Sequence, residues 1–476
     1  MKPNIDGLSL QTAIEPWGVP PKPSGRLGEW SAYVLLFIMM CFPTMAHFLY
    51  ARYFLVALLV ALIGIRGLTT KLRLDRRVAL WTLFLAAVSL SFGLRGLVLG
   101  APGALMQMQV YAMWPLIYLV LMSGVDERIL QGLERTLIRS GGFIAVFVAC
   151  FVLTELSLIP KIFPFERLLS PEEESNGTFL AVAFGEGYVQ LYVAGMSSLA
   201  FLVPFLFAAA ASRSPRYDQR WVSRRWLLPV LFLNLPLLIF SGLRALQAVA
   251  MVAPLLTLAF GAFLPRAERQ SLMKWLRRTI LALAAVVIIL VPLLSLLHTI
   301  TFEAMADRFA LAFDFSPSNR SDNAVGRVEQ YFALMHGWEQ APFIGKGLGA
   351  SAHESIRAGR TWGYELTYVD LLFQTGLVGF AAYAAGILWI YWTGIKIIRR
   401  GGAAGQFMLP ALAGMSALLI VNSVDPYLRS FDTLWPVFLP LAFINNWLIT
   451  NREKRINNLA SAQGRGGLAT GAPPEG

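Results

Sequence analysis

The chain has 476 residues, 56% of them hydrophobic and only 14% charged, with a formal net charge of +12. A soluble domain is roughly 45–50% apolar and about 25% charged, so this balance excludes a typical soluble enzyme and a disordered chain. Two cysteines exclude a disulfide-dense secreted scaffold.

A helix crosses about 30 Å of hydrocarbon with about 20 mostly apolar residues. Residues 1–30 are polar and proline-rich (Pro16, Pro20, Pro21, Pro23) and lack the basic and apolar regions of a cleaved signal, which predicts a cytoplasmic tail. Within 31–299, nine apolar stretches follow near 31–50, 52–69, 78–98, 104–123, 141–160, 188–211, 227–241, 245–264 and 279–299. A long polar connection occupies 300–375, and three more stretches lie near 376–396, 408–424 and 433–450. Residues 451–476 are basic and then Gly/Ala/Pro-rich, which predicts a disordered cytoplasmic tail. The runs are continuous and Leu/Ala-rich, not alternating, which favours helices over a barrel. The expected fold class is an all-α polytopic membrane protein of about twelve transmembrane helices.

Orientation follows from the basic residues. With both termini cytoplasmic, the inner segments hold 28 Lys and Arg and the outer segments 12. The inner runs LRLDRR, RYDQRWVSRR and RQSLMKWLRR lie in short connections, where an excess of positive charge marks the cytoplasmic side. The surplus is therefore an orientation signal, and no nucleic-acid partner is needed to explain it. Among the arginines kept outside, Arg244 sits in the tight connection IFSGLRALQAV, where an anion contact at a helix start is favoured by free N–H groups and the dipole.

Two outer connections are long, 161–187 and 300–375, and long ordered loops are often functional. In the second, Ser321 or Asp322 can cap a helix running to about Glu339, with Val325, Val328, Phe332 and Met335 as its apolar stripe. Arg320 precedes that helix, and Arg327 and Tyr331 share one face as i,i+4 neighbours. Pro342 marks the stop, and Gly345, Gly347 and Gly349 form a flexible turn that lacks the phosphate-loop pattern. Glu365 and Asp370 precede the next span; Glu365 beside arginines is a candidate general base, while Asp370 reads as an acid favoured by the helix dipole. His47, His298, His336 and His353 have no metal-ligand spacing, so no metal or cofactor is expected, with His336 kept as a loop candidate for substrate contact. Cys41 and Cys150 fall in expected spans as free thiols.

Three segments resemble the bacterial O-antigen polymerase and ligase family of membrane glycosyltransferases acting on lipid-linked sugars. SGLRA at 241–245 resembles its small-polar-Arg motif between two spans. GRVEQYFALMHGWEQAPFIGKGLG at 326–349 resembles its Arg, aromatic and P-x-x-G-x-G segment, and GYELTYVDLLFQTGLVG at 363–379 its approach to the next span. The twelve-span layout with a large periplasmic loop fits as well. Glu365-Leu366 stands where ligase members commonly show His-Asn, so the resemblance is closer to the polymerases.

The resemblance implies a polymerase at the periplasmic face of the inner membrane that joins repeat units of O-antigen, capsule or exopolysaccharide. Its donor would be a glycan on a polyprenyl diphosphate, its acceptor a glycan hydroxyl, and a chain-length regulator a candidate protein partner. Arg244 and Arg327 would neutralise the departing diphosphate and Glu365 would take the acceptor proton, with Arg320, Tyr331 and His336 binding substrate. A ligase moving glycan to lipid A core and a flippase or transporter are the alternatives.

Overall fold

The computed structural model describes residues 26–43, 45–69, 72–155, 159–160, 180–185, 188–193, 195–213, 222–240, 244–296, 322–352 and 362–466. The helices are α1 (Arg26–Cys41), α2 (Leu49–Thr69), α3 (Arg76–Val98), α4 (Ala104–Ser123, with a π-turn at Gln109–Met113) and α5 (Glu127–Glu155). They continue with α6 (Met196–Ser212), α7 (Arg224–Phe240), α8 (Arg244–Gly261), α9 (Arg266–Leu296) and α10 (Asp322–Glu339). The last three are α11 (Thr367–Arg400), α12 (Gly402–Val421) and α13 (Trp435–Gly466). Six of these, α2 to α5, α11 and α12, are long and apolar enough to cross a membrane.

The structure corrects several expected boundaries. The stretch near 188–211 begins as a strand: β1 (Leu180–Gly185) pairs antiparallel with β2 (Tyr188–Val193), and the helix starts only at Met196. Among the described residues the fold is helical, with this one short hairpin beside the helices. The connection before 141 is helical from Glu127, because Asp126 accepts the Ile129 N–H at 2.9 Å as an N-cap. Two turns in, Glu134 is buried in an ion pair with Arg213, which ends α6, so the extension is held by tertiary contact. The expected disordered tail from Asn451 is instead a continuation of α13 to Gly466; its Glu, Lys, Arg, Leu and Ala residues favour helix. The turn at 345–349 is not loose, as shown below. Cys150 is exposed on α5, whereas Cys41 is buried.

α12 is the centre of the bundle, buried along nearly its whole length and packed on α6, which is buried from Leu199 to Ala211. Small residues bring the backbones together: a Cβ on Gly414 would lie 2.8 Å from the Phe201 carbonyl oxygen. Close approach through small residues is how helices gain packing energy in lipid.

α11 is the element that positions the expected outer end. It breaks at Gly376 (φ 62°, ψ −171°), and the loop after α10 threads through the break. Above it, the Phe373 and Gln374 carbonyls accept from Lys346 (3.1 Å) and Gly347 (2.8 Å); below it, the Leu377 and Val378 N–H groups donate to Pro342 (2.9 Å) and Phe343 (3.0 Å). A broken helix leaves free backbone groups that must be satisfied, and here the loop satisfies them. Gly345, Gly347 and Gly349 all have positive φ and pack against the backbones of α11, α3 and the start of α4. Leu348 N–H donates to Phe92 O at 2.9 Å, and Arg95 Nε donates to Gly345 O at 3.1 Å. The turn is therefore a fixed joint between the large loop and the spans.

The inward face of α10 also differs from expectation. Phe332 is 65% exposed, while Leu334 and Gln330 are 0% and 1% exposed. Leu334 packs with Tyr364 and Phe373, and Gly337 lets Phe373 approach, since a Cβ there would meet its ring at 2.5 Å.

Candidate functional site

Helix α10, the approach to α11 and the connection between α12 and α13 converge at the expected outer end. Arg327, one third exposed on α10, donates from Nε to Glu365 Oε2 at 2.6 Å. Its Nη2 lies 3.8 Å from Asp425 Oδ1 in the α12–α13 connection. Gln330, one turn further along α10, accepts the Glu365 backbone N–H through Oε1 at 3.0 Å, which fixes the chain just before α11. Glu365 is partly exposed, so the pair faces outward.

A second pair lies beneath it. Asp370, 3% exposed in the first turn of α11, pairs with Arg429 from the α12–α13 connection. Gln374 donates to Asp370 Oδ1 at 2.7 Å and accepts the Gly349 N–H at 2.9 Å, tying the acid to the glycine turn. Tyr111 of α4 lies beside Arg429. Buried charges persist only when paired and hydrogen-bonded, and both ends of this pair are. Beside it, the buried Tyr364 hydroxyl donates to Ala352 O (2.7 Å) and accepts from Ala352 N–H (2.6 Å), and burial raises its pKa.

Of the residues singled out from sequence, Arg327 and Glu365 meet directly. Tyr331 is 44% exposed one turn along from Arg327 and packs edge-on against Phe332. His336 is exposed, 3.9 Å from Glu339, and nine residues past Arg327, which puts it on the opposite side of α10. It is not brought to the pair. Arg320 lies outside the described residues; Arg244 is the first residue of α8, with its side chain outside them. Sequence reasoning missed Gln330, Asp425 and Arg429 and set Asp370 aside as a dipole acid. The available signal was the short segment DPYLR at 425–429, which keeps an acid and a base together on the expected outer side.

A cavity of about 470 Å3 lies elsewhere, between α1, α2, α4, α5 and α13. Leu35, Met39, Leu59, Met122 and Phe438 line it, and Arg66 and Thr69 stand at its expected cytoplasmic end. It borders neither ion pair. No known protein-family model matches the chain, and no curated protein sequence matches it either.

Proposed function

We propose that the chain is a membrane glycosyltransferase that polymerises polyprenyl-diphosphate-linked repeat units of O-antigen, capsule or exopolysaccharide at the periplasmic face of the bacterial inner membrane. On this reading it crosses the membrane twelve times with both termini inside, α1 to α9 and α11 to α13 being the crossings. The observation that carries it is the Arg327–Glu365 contact, which joins the large-loop helix to the approach of a broken span. Broken helices in membranes accompany binding sites, because irregular backbone is tolerated where protein or a wet cavity covers it.

The chemistry follows from those two groups. The acceptor hydroxyl oxygen attacks the anomeric carbon of the donor, and the bond from that carbon to the diphosphate oxygen breaks with its electron pair leaving on the diphosphate. Arg327 moves onto the diphosphate, since a guanidinium fork matches phosphate oxygens. Glu365, released from the guanidinium, takes the hydroxyl proton. Arg244 and Arg320 add positive charge at the leaving group. The ligase reading differs only in the acceptor. The transporter reading gains no support from the cavity described above, whose lining is apolar apart from Arg66 and Thr69 at one end.

The experiment supplies purified protein with lipid-linked repeat units and follows glycan length. Arg327→Ala, Arg244→Ala and Glu365→Gln are each expected to slow elongation by about 10²-fold or more, the usual weight of an acid–base or charge-stabilising group. Elongation at the wild-type rate by variants that unfold at the wild-type temperature would overturn the proposal.

A further inference from the structure

Three buried polar atoms next to the two ion pairs have no hydrogen-bond partner among the described residues: Gln330 Nε2, Thr367 Oγ1 and Arg429 Nε. Gln330 and Thr367 are 1% and 4% exposed. Burying a donor without an acceptor is destabilising, so three such atoms beside the same two ion pairs call for a partner. They form one wall. Gln330 holds the Glu365 backbone, and Thr367 N–H donates to the Glu365 carbonyl at 2.9 Å. Thr367 and Asp370 are i,i+3 neighbours on α11, and Asp370 holds Arg429.

The missing partner is an oxygen that accepts. An amide N–H and a guanidinium N–H only donate, and a threonine hydroxyl donates as readily as it accepts. Phosphate and sugar hydroxyl oxygens both qualify, and charge decides between them. The described cluster holds two guanidiniums, Arg327 and Arg429, against three carboxylates, Glu365, Asp370 and Asp425, and each guanidinium is already on a carboxylate. Once Arg327 turns to the diphosphate, Arg429 alone faces the carboxylates, so a second anion at this place meets net repulsion. An uncharged hydroxyl accepts from the orphan donors and donates to the carboxylates.

We propose that Gln330, Thr367, Asp370 and Arg429 form an acceptor-sugar subsite that takes an uncharged hydroxylated ring and discriminates against acidic sugars. The inference rests on the transfer reading above and assigns the acceptor to this wall, leaving the donor diphosphate to Arg327 and the arginines beyond it.

The test measures ligand-observed saturation-transfer NMR on the purified full chain with methyl glucoside and methyl galactoside, against methyl glucuronide and methyl galacturonide. The neutral glycosides are expected to bind at least 10-fold more tightly than the uronides. Arg429→Gln should weaken the neutral glycosides about 10-fold, and Asp425→Asn should narrow the gap to the uronides. Thr367→Val removes an orphan group without touching a charge, so it should keep or raise the unfolding temperature while weakening glycoside binding. Equal binding of uronides, binding of no glycoside because the wall holds water only, or wild-type binding by both Arg429→Gln and Thr367→Val overturns the inference. Elongation separates the two claims. Neutral glycoside binding without any elongation sinks the polymerase reading alone, whereas Glu365-dependent elongation of uronate-ended acceptors at the neutral rate sinks this inference alone.

Discussion

Arg52 and Asp432 stand 380 residues apart in the chain and meet as an ion pair with only 1% and 9% of their side chains exposed. The guanidinium also donates to the carbonyls of Phe48 (3.2 Å), Phe42 (3.4 Å) and Met45 (2.6 Å), so the turn between α1 and α2 is wrapped around it. The pair anchors the end of the same connection that delivers Asp425 and Arg429 to the candidate site. Removing one partner leaves the other charge buried and uncompensated, which costs about 3–5 kcal/mol. Asp432→Ala is therefore expected to lower the unfolding temperature in detergent sharply and to weaken transfer through the displaced connection. Asp432→Asn, which keeps an acceptor, should cost less. Equal melting of all three proteins would show that the pair is dispensable.

Gly347 gives a second prediction. Its φ is +92°, and a Cβ there would lie 2.5 Å from the backbone of Gly96, an atom with no rotamer to move aside. The left-handed conformation alone costs a non-glycine residue on the order of 1–3 kcal/mol. Gly347→Ala adds a backbone clash, so the turn must leave its groove on α3. Gly402 also has positive φ (+70°), but a Cβ there meets open space. Gly347→Ala should thus destabilise distinctly more than Gly402→Ala, and only the former should impair glycan elongation. The comparison is read from paired thermal unfolding and elongation rates; the reverse order would refute it.

What could be read from the sequence follows a physical division. The limits of α10 were legible because caps and Pro342 are local signals, and the observed helix is Asp322–Glu339. Its inward face was not. In a membrane protein an apolar stripe satisfies lipid as well as core, so Phe332 gave no direction, and packing instead uses Gly326, Gln330, Leu334 and Gly337. The Arg327–Glu365 contact was reachable as two charges in one long loop. The Asp370–Arg429 pair was not, because its basic partner arrives from 59 residues further along, beyond two helices. The six helices long and apolar enough to cross a membrane were legible from hydropathy, but the break at Gly376 was not, since it depends on a loop that supplies the missing backbone bonds.

Tyr364 sets a pH prediction. Burial raises its phenol above the ordinary 10.0, so the folded protein holds it neutral where the unfolded chain begins to ionise it. Its contribution is complete below about pH 10 and declines as pH rises toward the higher folded value. Tyr364→Phe removes both bonds to Ala352 and leaves a buried N–H and C=O, a loss of about 1–3 kcal/mol at neutral pH. In that variant the alkaline decline should also be shallower. Unfolding midpoints measured from pH 8 to 11 check both parts, and parallel curves for the two proteins would contradict the assignment.

Orientation can be tested without any activity. On the proposed orientation, α10 and Lys346 lie outside and the start of α5 inside. Lys346 is partly exposed, its ammonium bonded to Gln340 at 2.7 Å, and the Arg128 side chain is 63% exposed. In a background with Cys41 and Cys150 replaced by alanine, Lys346→Cys should react with a membrane-impermeant maleimide in intact spheroplasts, and Arg128→Cys only in inverted vesicles. These two positions probe opposite ends of the bundle, so an inverted topology exchanges both results together. Labelling of both positions from one side would mean that an even number of crossings separates them, and the twelve-span arrangement would fall with the outward placement of Arg327 and Glu365.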